Sequence, residues 1–322
     1  MRSADQTWDF IIVGAGAAGA VMAARASEDP HRSVLLVEAG PDYPLASDLP
    51  GDLRDGHDNS YVDHDWGLEY TPGGSRIDRF PRGRVTGGST SVNTTIALRG
   101  IPADYDEWAS LGNPEWSWDR VLPAFNRLER DLDFGDASYH GDAGPISIRR
   151  WRDDELVPTQ AAFVEACLAQ GFPPSPDVNA PDAAGVGPMA MNKLGRLRIS
   201  TAIGYLSAAR HRDNLTIRAD THIARVVVDE GDAVGVETAE GEQLAGRLVV
   251  IAAGAVHTPG ILVRSGIGDP AELRRLGVDP VADAPGVGAN LADHPALAVL
   301  MEPRFPEFCA PGLPLVQTIC RY

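Results

Sequence analysis

The chain has 322 residues and a mass of 34.3 kDa, enough to bury one large core or two. Its 43% hydrophobic and 23% charged residues exclude a largely disordered chain. With 28 basic against 45 acidic residues the net charge is −17, which argues against nucleic acid and anionic membrane surfaces as partners. Cys167, Cys309 and Cys320 are scattered, without the spacing of a disulfide framework or a zinc site, so no metal is expected and a reducing, cytoplasmic setting is. The opening MRSADQTWDF has no apolar h-region, and no stretch approaches the ~18 unbroken apolar residues of a membrane span.

The first predicted element is Trp8 to Val13, an apolar run without alternation, as in a strand covered on both faces of a parallel sheet. It runs into Gly14-Ala15-Gly16-Ala17-Ala18-Gly19, an alanine-rich helix to Ala26, and a second buried strand from Ser33 to Glu38 followed by Ala39. This is a βαβ unit with a glycine fingerprint. Gly14 serves the tight turn, Gly16 lets backbone approach a pyrophosphate at the helix N-terminus, and Gly19 lets the helix close on the strand. Glu38 falls where an acid accepts from an adenosine ribose hydroxyl.

Residues 40 to 82 are irregular, rich in Pro, Gly and Asp, with strand-like pieces such as Tyr61-Val62. The stretch PRGRVTGGSTSVNTT, 81 to 95, is too small and too rich in hydroxyls to fill a core, and suits a loop lying against a ligand. Val121, Leu122, Phe125, Leu128 and Leu132 lie at helical spacing within a predicted helix from Ser117 to Leu132. A second helix is expected from Gln160 to Gln170, with Phe163 and Cys167 stacked, Cys167 in the core and Gly171 as the stop. Beyond Asn214–Ile217 the pattern becomes a meander: Ile223 to Val228, Ala233 to Thr238, and a third buried strand, Arg247 to Gly254, that can join the first two. Such a meander commonly covers one face of the sheet.

These residues resemble the glucose-methanol-choline (GMC) oxidoreductases, a family of flavoenzymes that includes alcohol and choline dehydrogenases. Gly83 to Asn93 matches the family's first signature, Gly254 to Gly268 fills every position of its second, and Asp104 to Trp108 and Gly288 to Pro295 are similar as well. The fold implied is α/β: a Rossmann-like FAD-binding domain with a β-meander insertion, from 7–139 and 205–295, plus part of an α+β substrate (cap) domain, from 140–204 and 296–322.

The resemblance implies FAD as cofactor, with Arg84, Val85, Gly87 and Gly88 and the run Asn93-Thr94-Thr95-Ile96 against it, largely through backbone groups. Ile223 matches the position whose backbone meets the adenine, and Ala253 and Gly254 open the second signature. Members that attach flavin covalently do so through a histidine where this chain has Val92, so the flavin is expected to be noncovalent. The chemistry implied is oxidation of a small-molecule alcohol, with a base taking the hydroxyl proton and hydride passing to flavin N5. The family's base is a histidine in a late segment. None of the eight histidines here lies in such a segment: His294 belongs to a turn motif, and His222 and His257 flank flavin elements as bystanders. The catalytic residues are therefore unassigned. Two expectations stand: an FAD-dependent alcohol dehydrogenase or oxidase active in its complete form, or a flavin-binding fragment or subunit inactive without a second polypeptide.

Overall fold

A computed structural model describes residues 6–71, 77–294, 297, 299, 304–305, 310 and 312–322. Pro295 of the last motif and Cys309 lie outside the described residues. By packing, the chain divides into two units, one from the described parts of 1–49, 61–92 and 201–299, the other from those of 50–60, 93–200 and 300–322. This division assigns 50–60 and 93–139 to the second unit, where the sequence-level segmentation joins them to the first.

The first unit is built on a six-stranded sheet in the order Leu215–Arg218, Val34–Val37, Trp8–Val13, Gln243–Ile251, Asp232–Thr238, Ile223–Asp229. The first four strands run parallel, and the last two join them antiparallel. Ile11, Ile12, Val34 and Leu36 are wholly buried, which is why these strands show continuous apolar runs rather than alternation. Trp8, Val13, Leu35, Val37, Ile223, Val226, Val236 and Ile261 form the core on one side. The helix Ala17–Ala26 crosses from the first strand to the second, as expected.

The meander is joined to the sheet through one strand. Gln243–Ile251 is nine residues long; its first part pairs with Asp232–Thr238 and its remainder, from Gly246, runs parallel to Trp8–Val13. One strand thus belongs to both systems, and Ile223, Val226 and Val236 of the meander share a core with Ile11, Val13, Leu35 and Val37 of the parallel strands. The helix Gly254–Arg264 follows and is tied to the meander: Ser265 Oγ accepts from Val226 N at 2.8 Å, and Arg264 Nε donates to Ala224 O at 2.6 Å.

In the second unit, Glu129–Asp131 pairs parallel with Ile146–Arg150, which pairs antiparallel with Ala190–Met191, while Gly185–Pro188 pairs with Thr318–Arg321. Three expectations change. Tyr61-Val62 forms no strand; the irregular stretch pairs instead at Glu69–Tyr70 with Asp78–Arg79. The helix begun at Trp118 stops at Leu128, because Glu129 and Asp131 are drawn into a strand with their carboxylates buried. The helix Pro158–Ala169 has no buried residue, and Cys167 is only half-buried. Among the described residues no helix is long and apolar enough to cross a membrane.

Candidate functional site

A cavity of about 520 Å³ opens in the first unit at the end of the parallel strands. Gly14 closes the first strand with φ +95°, a conformation that favours glycine. A Cβ on Gly19 would stand 1.9 Å from Gly14 O, so this helix reaches the turn only without a side chain there. A Cβ on Gly16 would meet nothing nearer than 3.8 Å; its open side is the cavity. Gly16 caps Ala17–Ala26 without a side-chain hydrogen bond, leaving the helix N-terminus, with its partial positive charge, facing that space.

Glu38 lines the same cavity. Its carboxylate is fixed by Ala15 N and Gly40 N, each at 2.9 Å. Burial raises its pKa, against the lowering effect of these N–H donors and of Arg84. A carboxylate offers about four lone-pair positions, so two backbone bonds orient it and leave acceptor capacity for a ligand hydroxyl.

The glycine-rich loop explains its own composition. Gly87 N donates to Ala15 O at 2.8 Å, and a Cβ on Gly88 would come within 2.7 Å of Gly16 Cα. The smallness read in the sequence as room for a ligand is first of all room for the opposing backbone.

Of the residues singled out in the sequence, Gly14, Gly16, Ala17, Ala18, Glu38 and Ala39 line the cavity, joined by Gly88, Ile223, Ala253 and Gly254. Gly19, Arg84, Val85 and Gly87 do not. Gly19 and Gly87 hold the backbone around the turn, Val85 is buried, and Arg84 lies over the Trp66 ring at 5.3 Å. Asn93, Thr94, Thr95 and Ile96 belong to the second unit.

No sequence signal marks the cavity's aromatic wall. Trp66 stacks on His257 with ring centroids 3.9 Å apart, and His222 meets the same indole edge-on at 5.7 Å; all three line the cavity. His257 Nε2 is buried without a hydrogen-bond partner among the described residues. Burial, with His222 and Arg264 nearby, lowers the pKa of His257 and favours its neutral form. The two histidines read as bystanders are thus lining residues.

Two buried arginines organise the second unit. The Arg198 guanidinium donates to five backbone carbonyls, those of Asp52, Leu53, Asp55, Asp58 and Asn93, and so pins the 52–58 segment. Arg150 bonds Asp131 at 2.5 Å and Asp177 at 2.6 Å, beside Arg99 on Glu129 at 2.5 Å. His140 completes this cluster, Nδ1 at 2.6 Å from Glu129 and Nε2 at 2.9 Å from Asp177. Glu129, Asp131 and His140 lie close enough to share an ion, but three carboxylates already face two guanidiniums and an imidazole. Burial alone would lower the His140 pKa; the bonds to Asp177 and Glu129 and the charge of Asp131 raise it to about 9. Asp177 is pulled down to about 2 by His140 and Arg150 against its burial.

The family model for GMC oxidoreductase matches residues 8–296. The chain is 39% identical over 318 residues to 5-(hydroxymethyl)furfural oxidase of Methylovorus sp. (strain MP688), covering 92% of this chain and 59% of that protein. To the oxygen-dependent choline dehydrogenase of Photobacterium profundum it is 38% identical over 296 residues, covering 89% and 52%. The chain therefore spans about half to three fifths of these relatives' length. An FAD-dependent oxidoreductase structure from Chaetomium thermophilum superposes with a TM-score of 0.79 at 28% identity, covering 87% of this chain and 51% of that one.

Proposed function

The chain belongs to the GMC oxidoreductase family, and from that premise we propose that it is the flavin-binding part of an FAD-dependent alcohol oxidase or dehydrogenase. The observation that carries the reading is the cavity at the N-terminus of Ala17–Ala26, with Gly16 open toward it and Glu38 fixed on its wall. A dinucleotide fits these donors: the helix end takes a pyrophosphate, and Glu38 accepts from a ribose hydroxyl. FAD bound there would supply a two-electron acceptor for oxidation of an alcohol. This chain's own residues bind and orient it. The backbone at 16–18 neutralises phosphate charge, and Ile223, Ala253 and Gly254 shape the wall beside Trp66 and His257. On the resemblance, Arg84, Val85, Gly87 and the run Asn93 to Ile96 also belong to the flavin site.

In this reading residues 7–139 and 205–295 are the flavin-binding domain, and 140–204 and 296–322 are part of the substrate domain, of a cytoplasmic enzyme. The base belongs to polypeptide corresponding to the remainder of the relatives. The flavin is noncovalent, since buried Val92 offers no nucleophile.

Gly16→Val tests the site. Its side chain would occupy the open space, so FAD retention, read by absorbance and by quenching of flavin fluorescence, should be lost while thermal stability without flavin stays near wild type. Unchanged FAD binding in this variant would refute the cavity as the cofactor site.

A further inference from the structure

Lys193 is the only lysine in the chain; the other 27 basic residues are arginines. It is wholly buried in the second unit, and its Nζ has no hydrogen-bond partner among the described residues. The ammonium position lies 3.6 Å above the centre of the Trp151 ring. Trp151 Nε1 is likewise buried and unpartnered, and His57, whose Nδ1 is too, leans on the indole at 5.5 Å. Three polar nitrogens meet here, none of them paired with an oxygen among the described residues. The indole face attracts a cation, but by less than an unpaired buried charge costs, so the seat favours a neutral amine.

The charged groups around this seat are already matched. Arg149, on the strand that leads to Trp151, pairs with Glu155, and Arg196, in the turn after Lys193, pairs with Asp55. Lys193 is the surplus cation. Burial above all, then Arg149, lowers its pKa to about 7, with Arg196 adding to the effect and Asp55 and Glu155 opposing it. His57, also lowered by burial and by Lys193, favours its neutral form. An arginine in this seat could not shed its proton; a lysine can.

The seat is joined to the run Asn93–Ile96. Asn192, the residue before Lys193, donates its N–H to Thr95 O at 2.8 Å, and Met191 bridges Ile96. Thr95 Oγ1 donates to the carbonyl of Gly56, the residue before His57, at 3.2 Å. Thr95 is wholly buried with φ +59°, a conformation that a β-branched residue keeps only when its surroundings impose it.

We propose that Lys193, seated as a neutral amine on Trp151, is a proton-operated latch behind Asn93–Ile96: proton uptake drives the ammonium off the indole and, through Asn192 and Gly56, loosens that run. Its effect on cofactor rests on the flavin reading of the same run. The proton comes from solvent, and no bond to carbon is made or broken. Because the seated lysine resists its proton, the closed latch is favoured as pH rises through the neutral range, and the open one as pH falls.

A single lysine makes the test direct. In the 322-residue chain labelled with ¹³Cε-lysine, the one side-chain resonance should titrate near neutrality, with the Trp151 indole N–H signal, identified by its loss in Trp151→Phe, moving at the same midpoint. FAD affinity should weaken up to about tenfold per pH unit below that midpoint. Lys193→Met should bind FAD at all pH values, and Lys193→Arg weakly at all of them. A lysine resonance with no transition between about pH 5 and about pH 9, or the wild-type pH curve persisting in Lys193→Met, overturns the latch. FAD binding insensitive to pH while the lysine titrates overturns its coupling to Asn93–Ile96. If no variant binds FAD at any pH, the flavin reading falls by itself, and the two resonances in wild type still decide whether the latch exists.

Discussion

Replacing His140 by Gln should destabilise the second unit in a manner that depends on pH. In the wild type both ring nitrogens face carboxylates, Nδ1 toward Glu129 and Nε2 toward Asp177, so both must carry protons and the ring must be an imidazolium. Its pKa of about 9, against 6.5 for the free side chain, corresponds to about 3 kcal/mol of stability in order of magnitude. That contribution is fully present below pH 6.5 and is lost as pH rises through 9, where the folded protein releases the proton. Glutamine cannot titrate and leaves three carboxylates against Arg99 and Arg150. The melting temperature should therefore drop by roughly 6–12 °C below neutrality for a unit of this size, and the gap to wild type should narrow steadily toward alkaline pH. Differential scanning calorimetry of both proteins across that range measures it. A gap that stays constant with pH would show that His140 contributes by shape alone, and the charge argument would be wrong.

Gly88→Ala places a Cβ 2.7 Å from Gly16 Cα at φ +52°, so it should cost about 2–3 kcal/mol by urea denaturation in flavin-free protein, in contrast to Gly16→Val. Arg198→Lys leaves most of five carbonyls without a donor, and limited trypsinolysis should gain a rapid cut after Arg54; resistance equal to wild type would mean the segment is held by other contacts. Acid precipitation of flavin-loaded protein should leave all FAD in the supernatant, whereas colour retained in the pellet would establish a covalent link. EDTA should not shift the melting temperature, since the cluster of Glu129, Asp131 and His140 is already neutralised by Arg99 and Arg150.

The parallel strands and the glycine turn were legible because burial on both faces writes an uninterrupted apolar run, and a βαβ crossing spaces Gly14, Gly16, Gly19 and Glu38 within about 30 residues. The meander's strands were legible too, but not that one strand, Gln243–Ile251, is long enough to serve two neighbours. Leu132 continues the helical spacing of Val121 to Leu128, so the pattern overran the helix end, which is decided by carboxylates that find their partners on other strands. Trp66 sits in an aperiodic stretch, and nothing near it in sequence indicates the histidines that meet it. Arg198 and Lys193 look in the sequence like ordinary surface charges; only the folded chain shows them as buried, each on a short strand.

The shared strand also sets an order of events during synthesis. Of the strands of this sheet Trp8–Val13 is made first, yet the neighbour on one of its sides, from Gly246 onward, is among the last to be made. Val34–Val37 waits similarly for Leu215–Arg218. Until those partners are made the nascent chain carries two apolar strands, each with one edge unpaired, in the form that invites pairing with other chains. The distance from residue 8 to residue 246 leaves Ile11 and Ile12 in need of shielding in the interval, and slower synthesis lengthens that interval.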